Sequence, residues 1–142
     1  MVVTHGTCVE IGGVGVLLRG PPGSGKSDLA LRLIDGGARL VADDQTELHR
    51  AGEALVASAP PPIAGRIEIR GVGIVDLPSA ASAPLGLVVD LVASGEIDRM
   101  PEPARCRYLD CSLPLLRLAP FEASAAAKLR AALAALVAGA VP

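Results

Sequence analysis

The residues best equipped for chemistry are Gly20-Pro21-Pro22-Gly23-Ser24-Gly25-Lys26-Ser27, which satisfy the spacing G-x-x-x-x-G-K-[ST] in full. Glycines at these places let backbone N–H groups turn toward one point, and a helix starting at the lysine adds about half a positive charge there. The result is a cradle for phosphate. In this pattern Lys26 reaches the β- and γ-phosphates of ATP, and Ser27 offers its hydroxyl to Mg²⁺. Mg²⁺ is a hard cation that keeps its other sites for water, phosphate and a carboxylate. A glycine turn that only caps a helix explains neither the lysine nor the serine.

Asp43 and Asp44 stand seventeen and eighteen residues beyond Lys26, at the end of the next apparent strand. Consecutive strand side chains point to opposite sides. One carboxylate is therefore expected to face a hydroxyl nucleophile beside the γ-phosphate, and the other to contact the metal or cap the turn. Rival patterns fail. Gly13-x-Gly15 lacks the third glycine of a dinucleotide site, because Leu18 takes its place. Neither the Asn-Lys-x-Asp of guanine recognition nor the Leu-Ser-Gly-Gly of transport ATPases occurs. What remains is a kinase-like phosphoryl transferase.

The elements that must hold these residues follow from periodicity. Residues 14–19 read as a buried strand and 20–25 as a loop. From Lys26 the spacing turns helical, with Leu29, Leu33 and Ile34 on one face and Gly36-Gly37 as the stop. Residues 39–42 form a second strand, and 46–49 and 54–57 a hairpin. After the stiff Pro60-Pro61-Pro62, residues 63–70 alternate, with Ile63, Ile67 and Ile69 inward and Arg66, Glu68 and Arg70 outward. Strands are also expected at 74–77, 87–92 and 113–118, loops at 78–84 and 94–107, and a helix from Glu122 to about Ala138 carrying Leu129, Leu133 and Leu136.

A chain of 142 residues has room for one domain and one core. Hydrophobic residues make up 51% and charged ones 20%, so disorder is excluded, and the core must be aliphatic because Phe121 and Tyr108 are the only aromatics. Nucleic-acid binding by stacked bases lacks its residues, and a net charge of −2 gives no pull toward polyanions or anionic membranes. The uncharged C-terminal run from Ala131 is too short to span a bilayer. The N-terminus has no basic region, and Glu10 interrupts its apolar stretch, so a cytoplasmic protein is expected. Cys8, Cys106 and Cys111 show no Cys-x-x-Cys spacing and, with His5 and His49, make no four-ligand zinc set. Three reduced, mostly buried thiols are expected.

Four spaced motifs give the chain a family likeness: His5-Gly6 fifteen residues before the loop, Gly20 to Ser27, Arg39-Leu40-Val41-Ala42-Asp43-Asp44, and Ile67-Glu68-Ile69-Arg70-Gly71-Val72-Gly73-Ile74. It resembles the catalytic domain of the HPr kinase/phosphorylase family. The fourth motif matches that family's Glu-x-Arg-Gly-x-Gly signature, and Ile97-Asp98-Arg99-Met100 looks like its Tyr-Asp-Arg segment. The resemblance implies a mixed sheet flanked by helices, of the HPr kinase/PEP carboxykinase type. It implies transfer from ATP to a serine of an HPr-like phosphocarrier protein of the phosphotransferase system, with the reverse phosphorylase step in bifunctional members. Asp44 would take the serine proton, with Asp43 its neighbour; Ser27 and Glu68 would hold Mg²⁺; His5, Lys26 and Arg99 would complete the site.

The departures are as specific. No segment here supplies the family's separate N-terminal domain, so the sequence reads as a minimal catalytic version. Pro21-Pro22 stand where many members have an acid and a serine. The Pro-Val-Arg-Pro-Gly-Arg-Asn segment is missing, with Leu115-Leu116-Arg117 its nearest remnant, which bears on the phosphorylase activity and the family's hexameric assembly. The runner-up is a small-molecule kinase like shikimate or gluconate kinase, which needs an Arg-rich lid, whereas Arg105 and Arg107 are the only close pair in the second half. The third reading is a non-catalytic nucleotide-sensing module, which leaves the full set of Lys26, Ser27, Asp44 and Glu68 without a purpose.

Overall fold

In the computed structural model, which describes residues 1–139, the chain runs β1 (Val2–His5), β2 (Thr7–Ile11), β3 (Val14–Arg19), α1 (Lys26–Asp35), β4 (Arg39–Ala42), β5 (Gln45–Ala51) and β6 (Ala54–Ser58). It continues through a 3-10 turn at Pro61–Ile63, β7 (Arg66–Ile69), β8 (Gly73–Asp76), β9 (Ser82–Leu91), a second 3-10 turn at Ser94–Glu96, β10 (Ala104–Tyr108), β11 (Cys111–Leu118) and α2 (Ala125–Val137). Nine strands join in the order β1-β5-β6-β9-β3-β2-β4, with β11 and then β10 branching from β9; β7 and β8 make a separate hairpin. Among the described residues no helix is long and apolar enough to cross a membrane.

Ten-residue β9 is the hinge of the sheet. Its first residues pair antiparallel with β6, and its later ones pair parallel with β3 on one side and β11 on the other. The central strands are buried on both faces and feed alternate side chains into two cores. Val16 and Leu18, with Leu87 and Val89, join Leu29, Leu33 and Leu129 of the helices. Leu17 and Val88 point the other way, to Leu48, Leu55 and Ala57 of the β5–β6 hairpin. Both helices thus lie over one face, and strands cover the other.

That topology aligns the ends that matter. Strand β2 is antiparallel to both β3 and β4, so β3, β4, β9 and β11 all run the same way and finish on one edge. Ligands in open α/β sheets bind outside the C-terminal ends of parallel strands. The loop at 20–25, the acids after β4 and residues 119–121 all open there.

Several elements differ from the periodicity reading. Strand β4 is not the neighbour of β3, because β2 intervenes; the short, polar-spaced residues 2–11 gave no strand signal. The expected strand over 63–70 shrinks to Arg66–Ile69, since Ile63 closes the proline-driven 3-10 turn. Ser82 to Pro84 belong to β9, where Pro84 is exposed near the strand's start. Within the polar stretch 94–107, Ala104 onward is strand: β10 is an edge element whose Arg105 and Arg107 stay exposed, so it lacks an apolar stripe. Cys8 is buried, but Cys106 and Cys111 are only half-buried; all three are free.

Candidate functional site

Strand β3 delivers the chain into the phosphate loop, and its last residue is fixed in place. Arg19 makes a two-pronged pair with Asp90 of β9, at 2.7 and 2.9 Å, and donates to the Tyr108 hydroxyl at 2.9 Å. The Asp90 carboxylate holds the Arg19 pKa above its ordinary value. This brace ties β3, β9 and β10 together at the point where the loop departs. Nothing in the local sequence pattern announces it, since its members are 71 and 89 residues apart.

The loop then turns at Gly25, whose φ of 98° is left-handed and favours glycine, and α1 begins at Lys26. The Ser24 amide bonds to the Pro21 carbonyl at 3.0 Å, while among the described residues the amides of Gly23, Gly25, Lys26 and Ser27 have no backbone acceptor. Donors of this kind at a helix N-terminus form an anion site. Lys26 Nζ lies across the loop, donating to the Gly20 carbonyl at 2.7 Å and the Pro21 carbonyl at 3.3 Å. The donor set fits a polyphosphate.

Asp43 is the centre of the acidic corner. Its Oδ1 accepts from the Ser27 hydroxyl at 2.8 Å and the Thr7 hydroxyl at 3.1 Å, and its Oδ2 accepts from the Glu68 N–H at 3.1 Å. Three elements, β2, α1 and β7, thereby meet at one carboxylate. Asp44 occupies a different position. Its N–H donates to Thr7 Oγ1 at 3.1 Å and its carbonyl accepts from Gly6 at 2.9 Å, so its backbone is pinned in the left-handed region at φ 66°. Its carboxylate is exposed and makes no hydrogen bond or ion pair among the described residues. The strand-alternation argument for separating the two acids therefore does not apply, because both lie past the end of β4; the backbone twist at Asp44 separates them instead.

A cleft of about 820 Å³ opens over this corner, lined by Gly23, Gly25, Lys26, Ser27, Asp43, Asp44, Glu68 and residues 69–73 of the β7–β8 turn. A second cavity of about 310 Å³ shares Asp43, Asp44 and Glu68 with it and is lined also by Pro62, Ile63, Arg66 and Ile74. The three acids form a wall common to both. Glu68 is exposed on β7, held there by buried Ile67.

Lys26, Ser27, Asp43, Asp44 and Glu68 all line the one cleft, whereas two other candidates do not. His5 is exposed at the end of β1, beside the Gly6 that binds Asp44, and lines neither cavity. Arg99 is exposed in the connection before β10 and also lines neither. Conversely, Thr7 and Phe121 enter the site without having been singled out for it; Phe121 could have been noticed as one of two aromatics, whereas Thr7 carries no sequence signal.

The model of the HPr Serine kinase C-terminal domain matches residues 1–101. The chain belongs to that family. The HPr kinase/phosphorylase of an Exiguobacterium species is 39% identical over 130 residues, 83% of this chain and 42% of that protein. The enzyme of the same name from Caldanaerobacter subterraneus is 40% identical over 129 residues, 82% of this chain and 42% of that protein. The chain therefore spans about two fifths of the length of the curated relatives it matches. Among solved structures, the Hpr(Ser) kinase/phosphatase from Coxiella burnetii superposes with a TM-score of 0.85 at 26% identity, covering 94% of this chain and 95% of that one. The fold is that of an HPr kinase domain, mixed α/β with its sheet curled around two cores. The family match stops before β10, so β11, α2 and Phe121 lie beyond it.

Proposed function

We propose that this chain is a cytoplasmic kinase domain that transfers the γ-phosphoryl group of Mg-ATP to a serine hydroxyl of an HPr-like phosphocarrier protein. The observation that carries the reading is the corner at Asp43, where the loop serine, the β7 backbone and an acid outside the network converge on one edge of the phosphate cleft. The names of the relatives, HPr kinase/phosphorylase, support the choice of acceptor.

The residues present fit the nucleotide and its metal. Free amides and Lys26 suit the phosphates, and Ser27, Asp43 and Glu68 offer the few hard oxygens that Mg²⁺ takes from a protein. Bound there, Mg²⁺ would neutralise charge on the β- and γ-phosphate oxygens. Lys26 would leave the loop carbonyls for those oxygens, and Asp43 would orient Ser27. An acceptor serine arriving through the second cavity would meet Asp44, whose free carboxylate takes the hydroxyl proton as the oxygen attacks phosphorus and ADP leaves. In the reverse direction the same carboxylate returns the proton. The carboxylates that line both cavities would be reached by donor and acceptor alike.

Acceptor discrimination tests the reading. ADP formation measured with a purified HPr-like carrier, with shikimate, with gluconate and with no acceptor should rise only with the carrier. Acceleration by a small acid instead would transfer the assignment to a small-molecule kinase, and no acceleration by any acceptor, with ATP still bound, would make the domain a nucleotide sensor.

A further inference from the structure

Phe121 is the chain's single phenylalanine and is 72% exposed, beside a phosphate loop in a protein whose other large apolar side chains are mostly packed away. Its backbone is nevertheless tied to α1. The carbonyls of Pro120 and Glu122, on either side of it, both accept from the Arg32 guanidinium of α1, Glu122 at 3.4 Å, and Arg32 is itself paired with Asp28 at 2.9 Å. Its ring leans on the loop: a Cβ added at Gly25 would lie 3.0 Å from the ring's Cζ and 3.1 Å from its Cε1. Gly25 thus serves a second purpose besides its left-handed turn, since only a bare α-carbon lets the ring this close. The ring also lines the same cleft as Lys26 and Ser27, just past the C-terminal end of β11 and on the edge where the parallel strands finish.

An aromatic ring with an anchored backbone, open to solvent and touching the start of the helix that cradles phosphate, is placed to receive the other end of a nucleotide. We propose that Phe121 is the platform on which the nucleotide base stacks, with Arg32 as the positioning residue that presents it. The inference rests on the nucleotide-binding reading above and adds the part of the ligand that the loop does not touch. Stacking uses the π-face that every base possesses and does not read its edge. The platform therefore accepts adenine and guanine alike, in keeping with the absence of an Asn-Lys-x-Asp motif.

The test is equilibrium titration of the full chain with Mg-ATP, Mg-GTP and inorganic tripolyphosphate, using wild type, Phe121→Ala, Phe121→Tyr and Lys26→Ala. Phe121→Ala should weaken ATP and GTP by about tenfold, in line with one lost base stack, and change tripolyphosphate by less than about twofold. Phe121→Tyr should restore both nucleotides, and Lys26→Ala should weaken all three ligands. The proposal is overturned if Phe121→Ala leaves ATP affinity intact, including the case where it impairs only transfer to the carrier and the ring is a protein-contact residue. Equal weakening of tripolyphosphate and ATP would overturn it as well, reducing the ring to a prop for the loop. If wild type binds tripolyphosphate no better than Lys26→Ala does, the phosphate-loop reading itself falls and the platform with it.

Discussion

Asp43 and Asp44 share a peptide bond and have opposite surroundings: one carboxylate accepts three hydrogen bonds, the other none among the described residues. An asparagine at position 43 would turn an N–H₂ toward a hydroxyl or amide donor, leaving that donor unmatched and shifting Ser27. Asp43→Asn should therefore weaken Mg-nucleotide binding. Asp44→Asn should keep nucleotide affinity within about twofold and cut single-turnover transfer by the ~10²–10⁴-fold of a lost general base. A larger transfer defect in Asp43→Asn at normal affinity would exchange the roles. Glu10 makes a prediction of another kind. It is 7% exposed, and the Gly13 N–H at 2.8 Å, aided by Arg39, outweighs its burial to hold its pKa below the ordinary 4.5. A lowered folded-state pKa contributes stability that is full above pH 4.5 and is lost as pH falls through the folded value. Denaturant midpoints measured from pH 6 to pH 3 should fall less steeply in Glu10→Gln than in wild type; parallel slopes would show that Glu10 is not linked to folding.

At the scale of elements, how readily a segment can be read from sequence follows its buried faces. Strand β3, α1 and β4 have their expected bounds because Val16 to Leu18, the Leu29–Leu33–Ile34 stripe and Leu40 to Ala42 are buried, and Gly36-Gly37 stops the helix. Strand β10 is hidden by exposed arginines at alternate positions, and β1 by its alternation of half-buried and exposed residues. The P-loop, Asp43, Asp44 and Glu68 were legible as spaced motifs. The resemblance supplied their roles, but the hydrogen-bond network at Asp43 was not legible, because it depends on Thr7 arriving from a strand 36 residues earlier. Helix α2 shows what long-range packing contributes: Leu129 is fully buried in the core that α1 and the central strands share. Leu129→Ala should cost about 2–5 kcal/mol, read as a lower denaturant midpoint at unchanged m. A loss under 1 kcal/mol would place α2 outside the cooperative core. Cys8, whose thiol burial pushes up to about 12, should resist alkylation at pH 8 until the chain unfolds, while the half-buried Cys106 and Cys111 react before it.

For the whole molecule, the C-terminal ends of four similarly directed strands put a phosphate loop, an acidic wall and an aromatic ring on one edge, with two cavities that share the acids of the wall. This arrangement suits a reaction between a nucleotide and a side chain of another protein. The domain match gives the fold. The central claim is that the accepting atom is a serine oxygen on a phosphocarrier. Incubating the chain with γ-labelled Mg-ATP and a purified HPr-like carrier, then mapping the label on the carrier by mass spectrometry, tests it directly. The account predicts one phosphoserine per carrier, absent when that serine is alanine and absent with Lys26→Ala. Label on a histidine, on this chain itself, or on no protein while ATP is still hydrolysed would contradict it.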